Sequence, residues 1–324
     1  MAPSTHPQPA LRLAVPAFIA AALVACGTQM SNDASSPDPA PEFRVIGYVT
    51  DTGLQISDAQ LEQLTHVNYA FALPERDGSL EQLANPWKLK DYGERAHERG
   101  VEVLISIGGW GPDPEFEALA ADPASRERFV TEVTGLVDEY GLDGADIDWE
   151  YPDPGASAER FVSLMQELRA ALPPGKLLTA AVAAAGPSAD GVLPEVFESV
   201  DFMNVMAYDG GGDAHSPMSY AEDALDYWEA LGLAPDRTVL GVPFYTRPAE
   251  VSFREMVEAD SAAADADEFD WHGTLQNYNG LPTMRAKTDL AMRRASGIMI
   301  WTVAHDTTDN TSLLRAIRET ISDR

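Results

Sequence analysis

One cysteine in 324 residues rules out a disulfide framework, since Cys26 has no partner within the chain. Basic residues are scarce as well. Only 22 Lys and Arg stand against 52 Asp and Glu, a formal net charge of −30. Phosphate binding needs basic clusters, so the balance argues against nucleic acid and against an anionic lipid surface held by charge. A neutral polymer such as a polysaccharide stays compatible, and the charge keeps the chain soluble and self-repelling. Long apolar runs are missing too. The stretch LAVPAFIAAALVA after Arg12 is too short and too rich in small residues for a spanning helix. No glycine-rich phosphate loop follows the first strand-like segment, which disfavours a nucleotide-binding fold.

What is present is a regular alternation. From Phe43 onward, eight short apolar runs read as strands: FRVIGYV, THVNYAFA, VEVLISIGG, GADIDWE, KLLTAAVAAA, VDFMNVMAYD, TVLGVPFY and GIMIWTV. Between them lie segments with apolar spacing of three and four, such as WKLKDYGERAHERG, SRERFVTEVTGLVDEYG and SAERFVSLMQELRAALP. Apolar strands flanked by helices imply a parallel sheet buried on both faces. Eight such units favour an α/β fold of the closed (β/α)8 TIM-barrel type, which typically needs about 250 residues.

The fourth strand carries the most chemistry. In GLDGADIDWEYP, Asp146, Asp148 and Glu150 alternate with Ala145, Ile147 and Trp149, and Asp143 stands just before them. Side chains at alternate positions share one face of a strand, so three carboxyl groups form a row opposite an apolar face. They cannot all ionise freely at that spacing, and a carboxyl kept protonated near neutral pH can serve as a general acid. A solvated strand edge or a calcium loop would also gather acids, but the apolar residues between them argue for a buried strand. In a barrel, active residues sit at the C-terminal ends of strands. Tyr48 ends the first strand, Ser106 and Trp110 belong to the end of the third, Met206, Tyr208 and Asp209 to the sixth, Tyr245 to the seventh and Trp301 to the eighth. Aromatic rings beside acids and hydroxyls on one rim suggest a carbohydrate cleft.

DGADIDWEY resembles the fourth-strand signature of glycoside hydrolase family 18, the chitinases and their relatives, at all four acidic positions. SIGGW, MAYD, GVPFYTR and Trp301 resemble that family's motifs on the third, sixth, seventh and eighth strands, in the right order. The resemblance implies a retaining hydrolase of β-1,4-linked N-acetylglucosamine polymers or oligomers. The substrate's own acetamido group is the nucleophile, a known exception to the two-carboxylate rule. It implies Glu150 as general acid, Asp148 orienting the acetamido group, Asp146 sharing a proton with Asp148, and Tyr208 hydrogen-bonding the acetamido group. Asp143 would be structural, with Tyr48 and Ser106 supporting the row. Met206 and Asp209 would line the sugar, Trp301 would floor it, and Trp110 and Tyr245 would flank the cleft. No metal or organic cofactor is implied, and the chain is expected to act as a monomer.

Some features depart from the family pattern. Thr246 in GVPFYTR replaces the usual glycine, and the stretch between strands seven and eight leaves no room for the α+β insertion domain that many chitinases carry, so an open groove is expected. His215, in the glycine-rich loop after the sixth strand, reads as a neutral surface residue, and the acidic run from Glu258 to Asp270 as a solvated loop. An endo-β-N-acetylglucosaminidase acting on N-glycan cores would use the same acid row, and a non-catalytic sugar-binding relative would lose its glutamate. The N-terminus resembles a bacterial lipoprotein signal ending at Leu23-Val24-Ala25-Cys26-Gly27. This implies residues 1–26 as signal and lipobox, 27–42 as a flexible tether and 43–324 as the catalytic barrel. A lipid on Cys26 would hold the exported protein at the cell envelope without a spanning helix, at the outer membrane or cell surface in a Gram-negative host because Gly27 is not an aspartate; an ordinary signal peptide cleaved near Ala25 would instead give a secreted protein.

Overall fold

The computed structural model describes residues 43–210 and 212–324. The expected signal, Cys26 and the tether lie outside the described residues. Ten strands are described: β1 Arg44–Thr50, β2 His66–Ala72, β3 Glu102–Gly109, β4 Gly144–Trp149, β5 Leu177–Ala183, β6 Phe202–Met206, β7 Thr238–Pro243, β8 Glu268–Trp271, β9 Thr274–Asn277 and β10 Gly297–Trp301. Eight of them close a parallel barrel in which each strand pairs with the next in sequence and β10 closes onto β1. The helices are α1 Asp58–Leu61, α2 Pro86–His97, α3 Asp113–Ala121, α4 Pro123–Glu139, α5 Ala156–Ala171, α6 Met218–Leu231, α7 Phe253–Ala259, α8 Leu281–Arg294 and α9 Leu313–Ser322. The expected TIM barrel is therefore the fold, without an insertion domain.

The local sequence explains the elements. Asp122 accepts from Ser125 N at 3.0 Å and Pro123 opens α4, which satisfies one orphan donor and presets the first turn. On α5, Phe161, Leu164, Met165 and Leu168 are buried at spacing three and four and pack inward on the sheet. The outward face of β4 meets them. Trp149 stacks on Phe116 of α3 at 5.2 Å between ring centres, meets Phe161 edge-on at 5.7 Å, and donates its indole N–H to Asp113 at 2.8 Å. Burying an indole this completely is worth about 3–5 kcal/mol against alanine. With that face fixed, the alternate residues of β4 must point into the barrel.

Register is clamped at the N-terminal rim by a repeated device. Thr65, Asp143 and Asp201 each stand just before an even-numbered strand, and each accepts through its side chain from a backbone N–H of the preceding strand. The partners are Val45 N at 2.9 Å, Val103 N at 2.7 Å and Leu178 N at 2.8 Å. A slip of one residue would turn the acid row to the other face, so these clamps protect the site from a distance.

Two differences from expectation lie between β7 and α8. β8 and β9 form an antiparallel hairpin around His272 and Gly273, both at positive φ (52° and 85°), as a tight two-residue loop requires. The acidic run is not simply a solvated loop. Asp260 accepts from Ala262 N, Asp267 from Gly280 N and Thr283 Oγ1, and Asp270 from Gly273 N, so these carboxylates close turns that backbone amides would otherwise leave open.

Candidate active site

Asp146 sits inside the barrel with no exposed surface. Strand register puts Ser106 of β3 and Thr179 of β5 beside it. Its carboxylate accepts from Tyr48 Oη at 2.6 Å, Ser106 Oγ at 2.8 Å, Thr179 Oγ1 at 2.5 Å and Asn204 Nδ2 at 3.2 Å. Burial pushes this carboxyl up, and the four donors pull it back. Two residues on, Asp148 is 3% exposed and its Oδ1 has no hydrogen-bond partner. Burial, then the charges of Glu150 and Asp146, push Asp148 well above the ordinary carboxylate range. Glu150, directly after β4, is half-buried; burial pushes it up, against a hydrogen bond from Tyr151, and the Asp209 charge adds to the rise. All three carboxyls are thus raised by burial, Asp148 in the middle of the row most of all, and Asp146 is the one that donors pull back.

A glycine makes the row possible. Gly108 of β3 pairs with Asp148 at φ +117°, and a Cβ there would stand 2.1 Å from the Asp148 carbonyl oxygen. The SIGG segment is the close approach that lets β3 and β4 meet at the acid row.

Around the row the rim is aromatic. Trp301 stacks on Phe71 at 5.5 Å and 24° and meets Tyr48 edge-on at 5.5 Å, so its ring lies across the mouth of the lumen. Met206 is 7% exposed in the lumen cluster with Tyr48, Phe202 and Met299. Tyr208 places its hydroxyl 3.9 Å from Met299 Sδ. Asp209 accepts two bonds from Arg247, at 2.7 and 2.6 Å. Burial alone would raise the Asp209 carboxyl, but bonds from Arg247 above all, and from Tyr245, hold it well below the usual range. Beyond it opens a cleft of about 530 Å³ lined by Asp209, Gly210, His215, Arg247, Leu275 and Asn277. Trp110 stands 82% exposed beyond β3.

The model of the family described as glycosyl hydrolases family 18 matches residues 44–306, the barrel from its first strand past its last. The chain belongs to family 18 of the glycosyl hydrolases. It is 27% identical over 316 residues to "Chitinase 1" of Aphanocladium album, across 81% of this chain and 73% of that one. "Probable chitinase 2" of Drosophila melanogaster is 32% identical over 215 residues, 56% of this chain and 44% of the relative, so less than half of that protein is matched. Among solved structures, the GH18 chitinase ChiB from the chitin utilization locus of Flavobacterium johnsoniae superposes with a TM-score of 0.74 at 27% identity, over 87% of this chain and 94% of that one.

In this family 18 enzyme the fold gathers Glu150, Asp148, Asp146, Tyr48, Ser106, Met206, Tyr208 and Trp301 at one end of the lumen. Asp143 is not among them. It bonds His97 Nε2 and Val103 N, both at 2.7 Å, at the opposite end. Two placements correct the sequence reading. Tyr245 does not flank an open cleft: it is 4% exposed, held against Tyr208 and His215 with Arg247 over its ring. His215 is not a surface residue: it is 1% exposed, and its Nδ1 accepts from Asp209 N at 3.2 Å. No hydrogen bond joins Asp146 to Asp148: the Asp146 carboxylate accepts from four other donors, and Asp148 Oδ1 has no partner. Thr179, Asn204, Tyr151 and Arg247 were not singled out in advance. The signal for Thr179 and Asn204 was a lone polar residue facing inward from an apolar strand. Among the described residues no cluster of three or more His, Cys, Asp or Glu is arranged for a metal ion, and no helix is long and apolar enough to cross a membrane.

Proposed function

We propose that this chain is a retaining chitinase that hydrolyses β-1,4-linked N-acetylglucosamine polymers or oligomers with the substrate's acetamido group as nucleophile. The observation that carries the reading is the buried acid row, in which burial raises Asp146, Asp148 and Glu150 together, Asp148 most, beside four donors on Asp146. Glu150 at the rim gives its proton to the departing glycosidic oxygen as the C1–O bond breaks. The acetamido oxygen closes onto C1, and Asp148 accepts from the acetamido N–H and so orients the group for attack. Water then opens the oxazolinium ring, returning the proton to Glu150 with net retention. Tyr208 bonds the acetamido group, Trp301 floors the sugar, Met206 and Asp209 line it, and Trp110 extends the track outward. Tyr48 and Ser106 hold the Asp146 carboxyl in place by hydrogen bonds, and no cofactor enters any step. The relatives, chitinases by name in each case, support this substrate class.

Product analysis tests it, with wild type beside Glu150→Gln on chitin oligosaccharides and on a high-mannose glycoprotein. Short β-anomeric chitin fragments from wild type alone are expected. Release of intact glycans would move the enzyme to the N-glycan endoglycosidases, and α-anomeric first products would overturn the retaining mechanism. The proposal extends to the cell envelope, with a lipid on Cys26 as anchor, supported by the sequence pattern at residues 23–27. Partition into detergent by wild type, lost in Cys26→Ser, is the expected outcome; equal partition of both would remove the anchor.

A further inference from the structure

We propose that Lys287 is a positioning residue for this site, holding the loop after β6 so that Tyr208 and Asp209 keep their places at the rim. The chain has four lysines. Lys287, on α8, has no exposed surface. Its Nζ donates to Ser216 O at 2.6 Å, Ser216 Oγ at 2.6 Å and Asn279 Oδ1 at 2.7 Å. Three acceptors match the three N–H groups of an ammonium, and a neutral amine has only two. None of the three is a carboxylate, so the charge is held by neutral oxygens. Burial pushes the ammonium down to about 7, with Asp267 pulling the other way.

The contacts run from Lys287 toward the site by two routes that meet at Ser216. Ser216 Oγ donates to Ala207 O at 2.5 Å, and Ala207 is the residue between Met206 and Tyr208. Asn279 Nδ2 donates to the same Ser216 carbonyl at 2.9 Å. Ser216 also follows His215, the buried ring that receives Asp209 N and lies 4.9 Å from Tyr245. One ammonium therefore fixes the backbone on both sides of Asp209. A buried charge without a counter-ion is a costly way to fill space, and a methionine would fill it without that cost. The cost is understandable if the return is geometry at the rim, where a displacement of about 1 Å lowers turnover by up to about a hundredfold.

The inference rests on the sugar-binding reading of Tyr208 and Asp209, but its test has a part independent of turnover. Lys287→Met and Ser216→Ala are made singly and together in the full chain. Turnover of chitin oligosaccharides and amide exchange are then followed. In Lys287→Met, kcat/KM is expected to fall by about tenfold or more. The double variant is expected to lose less than the sum of the two single losses, because both substitutions remove the Lys287 Nζ–Ser216 Oγ contact. Exchange at the Asp209 and His215 amides is expected to quicken while β4 amides keep wild-type protection. Additive losses, or exchange at Asp209 and His215 that is unchanged or that quickens only together with β4, would overturn the clamp. If Lys287→Met does not fold, Ser216→Ala and Asn279→Ala decide, since wild-type exchange at Asp209 and His215 in both variants would overturn it equally. If wild type turns over neither substrate, the glycosidase reading fails while the exchange result still decides the clamp.

Discussion

The two ends of the barrel use the same residue types in opposite ways. At the N-terminal rim, acids meet donors. Asp143 takes an amide and a histidine, and Asp201 takes an amide and Arg169. At the C-terminal rim, Asp148 is buried with an unpartnered oxygen, between two other carboxyls. Each end also has a hollow of about 530 Å³, so volume does not distinguish them. Chemistry does. The lower hollow is lined by Arg169, Lys176 and Asp201, whose polar groups bond one another and nearby carbonyls. The difference teaches that satisfied polar groups hold a fold together, and that unsatisfied ones are kept, at a cost in stability, where chemistry needs them.

Substitutions at the two ends sharpen that comparison. The largest effect is expected from Glu150→Gln, a loss of about 10²–10⁴ in kcat, typical of a general acid, without loss of melting temperature or of oligosaccharide affinity. Steady-state kinetics with calorimetry and binding titration check it, and retained turnover would remove Glu150 as the acid. Asp148→Asn is expected to cost about 10²–10³ in kcat and to raise the melting temperature. The sign follows from linkage. Asp148 binds its proton more tightly in the native state, so stability falls as pH rises from the ordinary carboxylate range through the raised native value. In Asp148→Asn that decline should flatten in denaturation curves measured across pH. Asp143→Ala should do the reverse of both, losing about 1–3 kcal/mol of stability through the orphaned Val103 amide while the folded enzyme keeps wild-type kcat/KM. A loss of activity at full stability would break the division between the two ends. The smallest effect belongs to Trp301→Ala, about 0.5–1.5 kcal/mol of lost stacking, read as weaker oligosaccharide affinity.

Much of this arrangement was legible in the chain before any coordinates. The barrel strands are buried on both faces, so they stand out as apolar runs. The acids of β4 repeat at period two, so their shared face followed directly. Burial was not legible. Crowding alone suggested perturbed carboxyls, yet desolvation is the larger cause at Asp146, Asp148 and Glu150. Residue type misled at the loop after β6. A histidine among glycines reads as exposed, whereas here Tyr245 packs on the ring and Asp209 bonds it, so His215 is internal. The β8–β9 hairpin was hidden by its acidic composition, although Phe269, Trp271 and the His272–Gly273 turn carried its pattern. Lys287 had no local signal, because its partners lie in two other segments.

Thr246, where a glycine was expected, has a further consequence. Its hydroxyl donates to Gln276 of β9 at 3.0 Å and accepts from Val251 N at 3.1 Å, and the next residue, Arg247, exchanges two backbone bonds with Asn277. The hairpin is thereby riveted to the end of β7, beside the arginine that holds Asp209. Its free end, at His272 and Gly273, carries no barrel contact of that kind. An engineer who wished to deepen the groove could graft new chain at that turn, because the rivet, rather than the graft, would keep the strand ends aligned.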